Sequence, residues 1–194
     1  MSTMYSVGQM NQLGDALEAA GFTPDDVTKL RSFSQLGEFN NVLKGNAMIA
    51  LVKYIIDCDA LPYIPDGWEV RQEDQLLNTV KGQLEWDPTK IAFYLSDGQK
   101  DGKVIKGEKL RKELGNQPIL NANVLDYLFA HPDLIPEEWK DKAVFFWGTT
   151  YRGSGGSLVV RYLRWRGSRW RWSCHWLGGD WCGSDPAVVR ASSA

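Results

Sequence analysis

Between residues 161 and 186 the chain reads "RYLRWRGSRWRWSCHWLGGDWCGSDP", and the spacing of its five tryptophans constrains the fold more than any other feature. Successive side chains of a strand point to opposite faces. With "RYLRWRGS" and "RWRWSCHW" as the arms of a hairpin turning near Gly167, Trp170, Trp172, Cys174 and Trp176 share one face. Arg169, Arg171, Ser173 and His175 share the other. On the first arm Leu163 and Trp165 separate in the same way from Tyr162, Arg164 and Arg166. A buried indole contributes on the order of several kcal/mol by area, so the tryptophan face is expected to pack inward and the Arg/Ser/His face to stay in water. Cys174 falls on the tryptophan side in this register unless a bulge intervenes.

The segments upstream differ in kind. "QMNQLGDALEAAG" carries Met10, Leu13, Leu17 and Ala20 at helical spacing, with Gly21 as a stop. "TPDDVTKL" restarts a helix with Thr23 as N-cap and Pro24 in its first position, and "SQLGEFNNVLKG" predicts a third ending near Gly45. Their arrangement is reminiscent of a helix-turn-helix, but the region is too poor in basic residues for DNA, and a packing or oligomerisation role is expected. "AMIALVKYIIDCD" and "WEVRQED" read as strands, and "LEWDPTKIAFYL" as an extended piece broken at Asp87-Pro88. After a polar loop over 97–106, "GEKLRKELG" predicts a helix, and "NANVLDYLFAHPDLIPEEWKDK" two helices split by Pro132 and restarted at Pro136. "AVFFWGTTYR", "SLVVRYLRW" and "RWRWSCHWL" close the chain as strands joined by Gly/Ser turns. Helices and strands are segregated, which gives an α+β fold. The expected division is a helical segment over 1–45, packing on a main domain over 46–194.

Charge narrows the function. Residues 143–194 carry seven arginines against Asp180 and Asp185, a balance of +5, while the remainder has 15 basic and 22 acidic residues, or −7. A basic end on an acidic body points to a face that meets an anionic or acidic partner. No apolar run reaches the length of a membrane span, and no secretory signal is expected from the opening residues, which leaves a cytoplasmic or virion-associated location open. The three cysteines lack a C-x-x-C spacing, and Cys174, His175 and Cys182 fit no familiar ligand pattern, so no metal site and no cofactor are expected. Asp57, Asp59 and Asp66 read as turn formers. His131 sits before a proline, "GSGGS" lacks the helix and lysine of a phosphate loop, and no nucleophile–base pair is present, so an enzyme is not expected. Interleaved Arg and Trp also suit single-stranded nucleic acid, provided that the tryptophans are exposed, and this is the alternative reading.

The residues on the water-facing side are a peculiar selection. After Lys142 there is no Lys, Glu, Gln, Met, Ile or Asn. Arg, Ser, Gly, Asp, Cys and His stand there instead, and each is reached from an Asn codon, AAT or AAC, by changing only its adenines. Trp, Lys, Glu, Gln and Met are not. With this pattern the chain resembles the variable proteins of diversity-generating retroelements, in the form found in archaeal viruses and candidate-phylum bacteria. The resemblance is carried by "LNANVLDYLFAHPDLIPEEWKDKAVFFWGTTYR", by "VVRYLRW", by the ladder W-x-W-x-x-x-W-L-x-x-D-W and "DPAVVRAS", and it extends to the opening "MNQLGDALEAAGFTPDDVTKLR". In that family an error-prone copy of a template repeat, altered at its adenines, replaces the 3′ end of the gene.

The resemblance implies a C-type-lectin-like fold with a variable region over about 152–186 that binds a protein or surface receptor. The diversified, ligand-binding positions it implies are Arg164, Arg166, Ser168, Arg169, Arg171, Ser173, Cys174, His175, Gly178, Gly179, Asp180, Cys182, Gly183, Ser184 and Asp185. Trp165, Trp170, Trp172, Trp176 and Trp181 form the implied scaffold, and Asp180, directly before Trp181, stands between the two groups.

Overall fold

A computed structural model of the chain describes residues 4–33, 36–50 and 52–191. They form two compact units, Met1–Val52 and Lys53–Ala194. The boundary therefore falls after Val52, later than the expected division at residue 45.

The first unit is helical, as its caps dictate. Ser6 and Gln9 close a capping box at the start of α1 (Val7–Ala19), and Gly21 takes up φ 84° beyond its end. Thr23 and Asp26 form the same device before α2 (Pro24–Leu30). The predicted start of the third helix at Ser34 and Gln35 lies outside the described residues; from there α3 runs over Leu36–Leu43, and Gly45 follows at φ 74°. None of these helices buries a residue fully.

The second unit opens with β1 (Ile55–Asp57), paired antiparallel with β2 (Gln83–Glu85). The long strand expected from Ala47 is thus confined to its last residues, apart from Leu51, which is not described. Its partner β2 is only three residues long, so the ladder has nothing to continue on, and Met48, Ile49 and Val52 stand exposed. "WEVRQED" is not a strand either. It makes one bridge, Glu69 to Arg152, and then a 3-10 turn over Gln72–Asp74. The Gln75 amide replaces the missing ladder: its Oε1 accepts from the Thr150 N–H and its Nε2 donates to the Thr150 carbonyl, both at 2.9 Å.

After a 3-10 turn at Pro88–Lys90 come β3 (Ile91–Tyr94), the short β4 (Ile105–Lys106), α4 (Gly107–Leu114) and α5 (Ala122–Ala130). The second of the two helices expected around Pro132 is reduced to 3-10 turns at Pro132–Leu134 and Glu137–Trp139. Prolines at 132 and 136 leave too few residues between them for an α-helical turn, and Trp139, 4% exposed, anchors the segment in the core. The strands β5 (Ala143–Arg152), β6 (Leu158–Arg166) and β7 (Arg169–Trp176) follow, then the two-residue β8 (Asp180–Trp181) and β9 (Ala187–Arg190).

One five-stranded sheet, ordered β3-β9-β5-β6-β7, organises the unit, and β4 pairs with β8 beside it. The fold is α+β. Each sheet face carries its own core. Leu163, Trp170, Val144 and Phe146 meet α5 residues on one face. Phe145, Trp147, Val160 and Trp181 meet Leu110 and Leu114 of α4 on the other. β5 changes register between Phe145 and Thr150. There Gly148 passes so close to Leu120 and Asn121 that a Cβ would stand 2.8–2.9 Å from their backbone atoms.

Candidate binding surface

The surface is built on the β6–β7 hairpin. Eight consecutive residue pairs run without a bulge from Val159↔Trp176 to Arg166↔Arg169. The two-residue turn has Gly167 first, at φ 69°, the position and sign that a type II′ turn gives to glycine. This register places Arg164, Arg166, Arg169, Arg171, Ser173 and His175 on one face, as the alternation predicts. The four arginines and Ser168 at the turn are exposed; Ser173 and His175 are half-buried.

The opposite face holds Trp165, Trp170 and Trp172 against the core that includes α5, with Trp170 only 6% exposed. One scaffold expectation changes. Trp176, the last residue of β7, is 57% exposed and is not a core residue. Trp181 is fully buried, but on the other core, with ring centroids 4.5 Å from those of both Phe145 and Trp147. Short β8, paired with β4, carries it there.

Cys174 also departs from the expected display. With no bulge in β7 it points to the tryptophan side, opposite Arg161 in register, and burial pushes its thiol above the usual range despite the Arg161 charge nearby. Cys174 and His175 therefore face away from each other, and among the described residues no group of three His, Cys, Asp or Glu side chains is placed to hold a metal ion. Asp57 and Asp59 accept backbone N–H groups from Asp59 and Gly82, each at 3.0 Å, as turn formers do.

The segment 177–186 completes the surface and is held largely by its backbone. Gln99, 1% exposed, donates from Nε2 to the carbonyls of Cys182 and Asp185 at 2.9 and 3.1 Å. The Ala143 N–H donates to the Ser184 carbonyl at 3.1 Å. Gly178, Gly183 and Ser184 are thereby exposed, and a Cβ at Gly178 would meet nothing. Four other positions are tied. A Cβ at Gly179 would lie 2.9 Å from His175 Nε2 and 3.1 Å from the Trp176 carbonyl. Asp185 accepts the Cys182 N–H at 3.0 Å, closing the turn and half-burying both residues. Asp180 pairs with Lys106 at 2.7 Å while remaining largely exposed.

Between the hairpin and this segment lies a cavity of about 310 Å³. Tyr162, Arg164, His175, Ser184 and Asp185 line it together with Lys140 and Lys142. His175 lies 3.1 Å by Nε2 from the Asp180 carbonyl, a contact in which that nitrogen carries the proton. The two lysines have no signal in the sequence, since they precede the strand and belong to no periodic pattern. Tyr162 does follow from alternation, two residues before Arg164.

Compared with family models, with curated proteins and with solved structures, the chain returned no match. Among the described residues no helix is long and apolar enough to cross a membrane.

Proposed function

We propose that the protein is a binder of macromolecular targets whose exposed C-terminal positions are diversified by adenine-directed mutagenesis. One observation carries this reading. The residues reachable from an Asn codon by adenine changes lie mostly on one exposed hairpin face and on a segment held by its backbone, while Trp165, Trp170 and Trp172 of the hairpin face the core. A surface built in this way changes its side chains without changing its fold. Exposed substitutions usually cost within about 0.5 kcal/mol, whereas truncating a packed Trp costs roughly 3–5 kcal/mol.

A C-type-lectin-like arrangement belongs to the same reading. Supporting it, β3 and β9, the first and last strands of the main sheet, pair antiparallel, and α4 and α5 lie between β3 and β5 in the chain. The hairpin and the 177–186 segment then carry the display. The single-stranded nucleic-acid alternative needs bases stacked on exposed rings next to cationic side chains. Here Trp165, Trp170 and Trp172 are on the face away from the arginines, which weighs against it.

Amplicon sequencing of the 3′ end of the gene across a natural population tests the reading. Variation is expected at the codons for exposed positions such as Arg164, Arg169, Arg171, Gly178 and Ser184, each change traceable to a template adenine, with the Trp codons fixed. Gly179 is expected to vary mainly together with His175. Uniform codons, or changes spread evenly over the gene, would overturn it.

A further inference from the structure

Four of the exposed arginines form a two-by-two array. Arg164 stands directly across from Arg171, and Arg166 from Arg169, all on the same face of the hairpin. Directly opposed residues have Cα atoms about 4.5–5.5 Å apart, and alternate residues along a strand about 7 Å. Like charges in this arrangement repel and destabilise the hairpin. The lysines nearby are already matched: Lys140 pairs with Glu137 at 2.6 Å and Lys106 with Asp180 at 2.7 Å, and Lys142 pairs with Asp141. Among the described residues no carboxylate pairs with any of the four arginines, although Arg161 of the same sheet has one carboxylate partner and Arg152 has two.

Resting on the binder reading above, we propose that in this variant the face takes an acidic segment of a partner protein, with carboxylates seated on Arg164, Arg166, Arg169 and Arg171. A guanidinium binds a carboxylate through two parallel N–H donors, so the array is matched to discrete planar anions. An extended peptide presents alternate side chains about 7 Å apart, the same repeat as Arg164 and Arg166 along β6. The surroundings favour such a segment over a continuous polyanion. Asp141, Asp180 and Asp185 line the adjoining cavity together with Lys140 and Lys142, and residues 53–142 of the same unit carry 12 basic and 17 acidic residues, a balance of −5. A phosphate polymer crossing this face meets those carboxylates at close spacing, whereas a peptide places neutral residues against them. No tryptophan of the hairpin is on this face to stack a base.

The test is fluorescence anisotropy on the full chain with a labelled peptide of alternating Glu and Gly, a control peptide with Ser for Glu, and an oligothymidylate of matched charge. The Glu peptide is expected to bind in preference to both. Exposed ion pairs account for about two- to fivefold each, so R164Q/R166Q/R169Q/R171Q is expected to weaken binding roughly fiftyfold. The tip-only variant R166Q/R169Q should give an intermediate loss, with near-ultraviolet circular dichroism of the tryptophans unchanged in both. R190Q, on β9, should leave binding within about twofold. Equal binding of the Ser peptide, or equal losses from R190Q and the quadruple variant, would overturn the proposal. Tighter binding of oligothymidylate would overturn it in favour of nucleic acid. A negative result together with codon variation confined to the surface rejects the acidic partner and leaves the diversified binder standing. Uniform codons reject the diversified binder whatever the peptide does.

Discussion

At the scale of single residues, Arg161 is the informative one. It belongs to the same basic run as the display arginines, yet it is 1% exposed. Its guanidinium pairs with Asp126 at 2.8 Å, donates to the Tyr63 carbonyl and the Tyr151 hydroxyl at 3.3 and 3.2 Å, and lies 4.3 Å from the Trp172 ring centroid. Alternation alone puts Arg161 on the face of Leu163 and Trp165, so its inward direction is legible in the sequence. Its partners are not, because Tyr63 and Asp126 lie far away in the chain and no local pattern links them to it. Breaking a buried pair from one side leaves the other charge uncompensated, which costs about 3–5 kcal/mol. Arg161→Met and Asp126→Asn are each expected to lower the unfolding free energy read from urea titration by that order. The double replacement should cost less than the sum of the two. Additive losses in such a cycle would show that the two side chains act separately.

At the scale of elements, the β6–β7 hairpin was the most legible part of the molecule. Its period of two, its Gly-Ser turn and its aromatic content agree with one another, and the turn and register follow from them. Legibility fails where an element is held by a distant partner. β8 has only two residues and exists because β4 pairs with it, so the opposite destinations of Trp176 and Trp181 could not be read from their spacing. The same holds for the 3-10 turns around Pro132 and Pro136, where helical composition loses to the two prolines. Of the candidate site, the exposed arginine face was readable and the cavity beside it was not, since its lysines come from outside the strands. The hairpin also makes a prediction of its own. Gly167 at φ 69° lies in backbone space that a side chain enters at a cost of about 1–2 kcal/mol. Gly167→Val is expected to lower thermal stability by that amount, whereas Ser168→Val should stay within about 0.5 kcal/mol. Equal effects from the two substitutions would show that the turn is not fixed as described.

At the scale of the larger unit, the display face depends on a body that alkaline conditions undermine first. Burial pushes the Tyr151 hydroxyl up from 10.0 to about 12 and the Cys58 thiol from 9.0 to about 11, the latter helped by Asp59 and Asp57. Both groups are acids held neutral by the fold. A raised folded-state value means that stability is fully present below the unfolded value and falls as pH rises toward the folded one. The loss should therefore begin near pH 9.0 with Cys58 and continue to about pH 12 with Tyr151, whose share is about 2–3 kcal/mol. A series of urea midpoints from neutral pH upward checks this, with Tyr151→Phe expected to flatten the upper part of the decline and Cys58→Ala the lower. A level midpoint across the window would mean that neither group differs between the folded and unfolded chain.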